Sequence, residues 1–404
     1  MFTKRQVEFL VPAFLICVLA VPFIIASVIP SDESSRSRGI SQVRDPSARP
    51  SDGLGPTVAK ALVGRRDDTG ATDAEHTPLP TEVRGLYWTA VTATTARADE
   101  LLVYMLETGI NTAVIDVKMD NGELVEVGEF EEILETLYDA GIYRIARIAV
   151  MRDSAFAEAH PNLALGSRRR SWRSYGGQAG LDNGIWRDNT GAAWLDPSAP
   201  EVADYAILLG RRFYEAGFDE IQYDYVRFAS DGALSSIVYP VYDSSESKIE
   251  VMQRFFERVG GTMREENIPV SFDVFGMTFW SHDDYNIGQR LIDVLPYADF
   301  VSPMVYPSHY VDGFKGYANP AEYPYEIVKQ SLDEGLRLMH GFFAGSDAEL
   351  AAHFRPWLQD FDIGAVYTSS YIEAQIQAAR DAGASGWILW NARNVYEPAQ
   401  YLPN

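Results

Sequence analysis

From Glu82 onward the chain alternates short runs rich in β-branched and aromatic residues with longer helical stretches. The strand candidates are Arg84–Val91, Thr112–Lys118, Tyr143–Val150, Glu220–Phe228, Pro269–Met277, Asp299–Pro307, Arg355–Phe361 and Ser385–Asn391. Helical segments between them include Arg97–Thr108, Phe130–Ala140, Val202–Ala216, Ile249–Glu266 and Tyr371–Ala382, several ending in a stop glycine (Gly109, Gly141, Gly217, Gly383). A glycine just past the last helical residue adopts the left-handed conformation that turns the chain toward a strand. Eight such β/α repeats predict an α/β fold, a (β/α)8 TIM barrel over residues 82–404. A doubly wound open sheet would alternate similarly, but no glycine-rich phosphate turn follows the first strand. Arg152–Pro200 is expected to be an insertion over the barrel mouth.

Upstream the pattern is different. Lys4 and Arg5 precede an apolar stretch from Phe9 to Ile29. At a rise of about 1.5 Å per residue this spans a ~30 Å hydrocarbon core, with the basic flank cytoplasmic. The expectation is an uncleaved N-terminal signal anchor, a single-pass transmembrane helix within residues 1–30, with the barrel extracytoplasmic. Secretion after signal cleavage is the alternative, disfavoured by the length of the apolar run and the lack of an A-x-A site. Residues 31–81 are dominated by Ser, Asp, Arg, Gly and Pro and read as a flexible linker, since so few large apolar groups cannot offset the entropy of ordering.

Charge narrows the partners. Residues 1–80 carry nine basic and nine acidic side chains, so the whole net charge of -23 lies in the remainder. So acidic a surface repels phosphodiester backbones, which excludes nucleic acid as a partner. The lone cysteine, Cys17, permits no intrachain disulfide and no thiolate zinc site. Six histidines without repeated spacing give no metal motif, and no cofactor is expected.

Barrel chemistry sits at the C-terminal ends of the strands, and alternation along each strand sorts the candidates. By parity Asp116 and Lys118 share a side of the second strand, Gln222 and Asp224 a face of the fourth, and Ser271 and Asp273 a face of the fifth, with Phe272 and Val274 toward the helices. The sixth offers Tyr306 and then His309, the seventh Trp357 and then Asp360, and the eighth Trp390 and Asn391. Glycosidic cleavage needs two carboxyl groups, one to protonate the leaving oxygen and one to act as nucleophile or base. Asp224 is the strongest candidate, because a carboxylate in an apolar, aromatic strand is costly to bury for structure alone. Each aspartate has a competing structural reading, an ion pair with Arg147, Arg227 or Lys118.

The segments Val83–Ala90, Ala113–Lys118, Gly217–Phe228, Asp273–Gly276, Ser302–Tyr310, Arg355–Phe361 and Trp387–Asn391 together resemble a bacterial family of glycoside hydrolase TIM-barrel domains. The match runs in order across nearly all of residues 82–404. The stretch around Asp224 also resembles the chitinase signature, in which Asp219 and Asp224 match. Gln222 replaces an aspartate there, and Val226 stands where that family has its acid glutamate, so the substrate-assisted mechanism does not carry over. Asp224 instead resembles the strand-four nucleophile of α-amylase- and α-galactosidase-like barrels. Those families imply Asp273 as the acid, while barrels with carboxylates on strands four and seven imply Asp360.

The expectation is therefore a membrane-anchored extracytoplasmic glycoside hydrolase acting on a cell-envelope or extracellular polysaccharide. Asp224 and Asp273 form its carboxyl pair. Asp116, Lys118, Arg147, Gln222, Arg227, Tyr306, Trp357, Asp360, Trp390 and Asn391 are its substrate contacts. A non-catalytic glycan-binding scaffold is the alternative.

Overall fold

The computed structural model describes residues 74–168, 174–175, 178–179 and 184–396. Eight parallel strands close into a barrel, each hydrogen-bonded to its neighbours in chain order. They are β1 (Val83–Trp88), β2 (Thr112–Lys118), β3 (Tyr143–Ala149), β4 (Glu220–Asp224), β5 (Val270–Phe275), β6 (Phe300–Met304), β7 (Trp357–Gln359) and β8 (Gly386–Trp390). The crossovers carry α1 (Arg97–Thr108), α2 (Glu131–Asp139), α3 (Pro200–Glu215), α4 (Lys248–Glu265), α5 (Leu291–Val294), α6 (Pro324–Met339) and α7 (Ser369–Asp381). Every strand candidate from the sequence is present, shortened at one or both ends in most cases. Helix α6 is an addition that the sequence reading does not single out, and α5 is reduced to a single turn.

The local reasons are legible. Gly109, Gly141, Gly217 and Gly383 all have positive φ where the chain leaves a helix for the next strand. Helix α4 starts in a capping box, with Ser247 and Glu250 satisfying each other's main-chain N–H groups. Strand β4 stops at Asp224 because Tyr225, with φ 55°, turns the chain out of the sheet.

Alternation then divides the apolar residues between two cores. Leu86, Trp88, Ile115, Val117, Phe272, Val274 and Leu389 face the helices. Tyr87, Val114, Tyr143, Ile145, Tyr306, Trp357 and Ile388 fill the barrel itself.

The expected insertion is a cover. It is laced to the end of β3, with Leu195 N–H donating to Met151 O (2.7 Å) and Asp153 N–H to Ala193 O (3.1 Å). Its short strand Gly166–Ser167 pairs antiparallel with Ile237–Val238 from the loop after β4. At the opposite end, Thr77 N–H donates to Asp219 Oδ1 (2.7 Å), and His76 stacks on Tyr214 at 4.2 Å. Asp219 immediately precedes β4, so this entering segment docks on the barrel floor.

The apolar run at 9–29 and the linker up to residue 73 lie outside the described residues. Among the described residues no helix is long and apolar enough to cross a membrane.

Candidate active site

Four strands aim charged side chains at one point near the top of the barrel. Strand register sets Asp116 beside Arg147, and Asp224 and Asp273 follow from β4 and β5. Arg147 is the hub. Its Nη1 donates to Asp116 Oδ1 at 2.5 Å, its Nη2 donates to Asp224 Oδ2, and its Nε lies 3.5 Å from Asp273 Oδ2. One guanidinium thus serves three carboxyl groups, each 5% exposed or less.

The remaining carboxylate oxygens are also held. Tyr87 donates its hydroxyl to Asp116 Oδ2 (2.5 Å), Tyr225 its main-chain N–H to Asp224 Oδ1 (2.5 Å), and Trp357 Nε1 to Asp273 Oδ1 (2.7 Å). The Tyr87 and Trp390 rings pack at 4.0 Å, and the Arg147 guanidinium lies 5.7 and 5.3 Å from their centres.

The three carboxyls are not electrostatically alike. Burial, and after it the neighbouring charge of Asp224, pushes Asp273 well above the usual carboxylate range. Asp116 is also raised, by burial, against the opposing pull of Arg147. Asp273 is therefore suited to hold a proton beside a carboxylate, Asp224, that has a cation and a main-chain donor on its two oxygens.

Other residues named from the sequence stand around this group or apart from it. Gln222 lies one layer below, donating to Ser302 Oγ (3.0 Å). Tyr306 lines the wall, its hydroxyl raised by burial and then by Asp273. His309 packs edge-on to Tyr306 at 5.0 Å, and burial pushes it down to about 4. Arg227 sits at the rim beyond β4, its guanidinium 4.5 Å from the Phe275 ring centre and 4.8 Å from that of Trp194. It bonds to Phe228 O and Ser230 Oγ, with no carboxylate in ion-pair contact among the described residues.

Three expectations require correction of place. Lys118 does not share the site with Asp116: a register irregularity in β2 between them sends Lys118 elsewhere. Fully buried, it pairs with Asp153 (2.8 Å) and donates to Ala149 O (2.5 Å). Asp360 lies one residue past β7, and after burial its charge raises the Tyr396 hydroxyl. Asn391 spends its side chain on the turn after β8, donating to Asp360 O and Val395 O.

The structure adds residues that parity alone did not rank. Tyr87 was legible only as a strand-end aromatic, although its alternation with Trp88 marks it as inward. On the floor, Glu220 accepts from Ser271 Oγ (2.6 Å) and from Arg355 Nη2. Strand β4 therefore turns Glu220, Gln222 and Asp224 to the axis in succession. Among the described residues no group of three His, Cys, Asp or Glu side chains is placed to hold a metal ion.

Known proteins place the chain in a family. The family model described as "Putative glycosyl hydrolase domain" matches residues 85–396. Among solved structures, the glycoside hydrolase domain of PgaB (BpsB) from Bordetella bronchiseptica aligns with TM-score 0.53 at 14% identity, covering 77% of this chain and 94% of that one. The catalytic domain of β-amylase from Paenibacillus polymyxa aligns with TM-score 0.48 at 8% identity, covering 77% and 93%. A hypothetical protein from Ruminiclostridium thermocellum is 27% identical over 47% of this chain and 97% of its own, with TM-score 0.38. No curated protein matches. The likeness to the PgaB domain is one of fold, whereas the family model runs from β1 through β8. The chain belongs to this family of glycosyl hydrolase domains.

Proposed function

We propose that the chain hydrolyses a cell-envelope or extracellular polysaccharide, with Asp224 as nucleophile (or as base, in an inverting enzyme) and Asp273 as the acid. The observation that carries this is the pair of carboxyls on either side of Arg147, one held by charge-assisted contacts and the other buried toward its protonated form. Cleavage requires a carboxyl that can give a proton beside a second that attacks or activates water. Asp116, tied to Arg147 and Tyr87, sets the position of the guanidinium. Trp390, which unlike the surrounding Tyr87, Tyr306 and Trp357 is only partly buried, offers a face against which a sugar ring can stack, with Arg227 at the rim and Gln222 beneath as polar groups. The N-terminal apolar segment would hold the barrel on the outer side of the cell membrane.

One observation favours a second reading, a glycan-binding barrel without turnover: Asp273 is only 1% exposed. The test separates the two. The full chain is screened on cell-wall and capsular polysaccharides for released reducing ends, with Asp224→Asn alongside. Release that falls roughly a thousandfold or more in the variant supports hydrolysis. Release unchanged in the variant refutes Asp224, and binding without release supports the scaffold.

A further inference from the structure

We infer that Tyr225 is a positioning residue for the Asp224 carboxylate, held in place by the chain folded over the mouth; the inference rests on Asp224 as the reacting carboxylate. Tyr225 directly follows the last residue of β4 and has φ 55°. In that left-handed region the Cβ of an L-residue crowds its own main chain, and a bulky side chain persists there only when its surroundings hold it. The turn has a specific product. In extended backbone the Tyr225 N–H would be available to the sheet ladder, whereas here it donates to Asp224 Oδ1 at 2.5 Å. With Arg147 on Oδ2, both oxygens are fixed and the carboxylate cannot rotate.

The surroundings that hold the turn are on the page. The Tyr225 hydroxyl donates to Asp120 Oδ2 (3.0 Å), and Asp120 is ion-paired with Arg152. The guanidinium groups of Arg152 and Arg227 lie 5.4 and 5.6 Å from the centre of the Tyr225 ring, and Trp194 packs edge-on at 5.9 Å. Arg152 is itself tied to Asp188 in the cover at 2.9 Å. The main chain is anchored too, with Val150 N–H donating to Asp224 O (2.9 Å) and Met151 N–H to Tyr225 O (3.3 Å). A ring held by these contacts serves the turn. Asp120, whose side chain is 40% exposed, therefore acts on Asp224 through Tyr225.

Two measurements test this. In the full chain labelled with 15N-tyrosine, the Tyr225 amide is assigned by its loss in Tyr225→Phe. An amide bonded to a carboxylate resonates downfield; Asp120→Ala should move it upfield, and Asp120→Asn, whose amide oxygen can still accept the hydroxyl, should return it. A Tyr225 amide indifferent to Asp120→Ala overturns the inference, and no substrate is needed to see it. On a polysaccharide that the wild type cleaves, Asp120→Ala and Tyr225→Phe should each lower kcat about 10- to 100-fold with KM little changed. The double variant should cost no more than either alone, and Asp120→Asn should recover most of the rate. A loss confined to KM would make Tyr225 a substrate contact and overturn the positioning role. Full kcat in Asp120→Ala, with Asp224→Asn inactive, would overturn the clamp while leaving the nucleophile in place. A wild type that cleaves nothing would remove the reading of Asp224 but not the amide result.

Discussion

Arg147 and Asp273 pose the sharpest questions at the scale of single residues. Among the described residues Arg147 is the only cation in contact with Asp116, Asp224 and Asp273, so Arg147→Ala strands all three. Removing one partner of a buried ion pair costs about 3–5 kcal/mol, and urea denaturation should show a loss of at least that size. Asp273 gives a pH dependence with a definite sign. If it donates the proton, kcat/KM must fall as pH rises through its elevated value, along an alkaline limb above the ordinary carboxylate range. Stability runs the same way. The folded carboxyl binds its proton more tightly than the unfolded one, so the contribution is full below the unfolded value of about 3.9 and is lost as pH rises toward the folded one. Asp273→Asn, which cannot ionise, should therefore melt at a higher temperature than the wild type at neutral pH while showing no turnover. A melting temperature equal to or below that of the wild type would show that the buried charge is not the dominant cost.

Among the elements, β2 shows both the reach and the limit of a reading by parity. Period-two alternation sorts Asp116, Asp224 and Asp273 inward, with Phe272 and Val274 outward, and in these the structure agrees. It fails at Lys118, where a local register shift puts two neighbours of like parity on different sides. Nothing in the residues of β2 announces that shift; the partner that takes the ammonium group is Asp153, 35 positions away, which also caps the helix Ser154–Ala159. Lys118→Met should cost about 3–5 kcal/mol by leaving Asp153 charged and buried, measurable in the same denaturation series, with the pH profile of turnover unchanged. At Asp360 parity does not apply, since β7 ends after three residues and the alternation cannot be carried beyond it. The hub role of Arg147 was hidden by separation: Asp116 and Asp224 lie 31 and 77 residues away, and only pairing of neighbouring strands brings them to it.

For the whole molecule, the net charge of -23 lies entirely beyond residue 80, so the folded barrel carries its own repulsion. Screening should relieve it. Raising sodium chloride to about 0.5 M, where the Debye length is only a few ångström, should increase the melting temperature; a decrease would indicate that attractive ion pairs outweigh the repulsion. The docking of Thr77 on Asp219 has a further consequence, for orientation. A segment held on the floor means that whatever precedes residue 74 departs from the face opposite the mouth. If that portion is rooted in a bilayer, the opening looks outward, away from the lipid and toward the wall or the medium. Long polymers could then thread across the opening without first squeezing between protein and membrane.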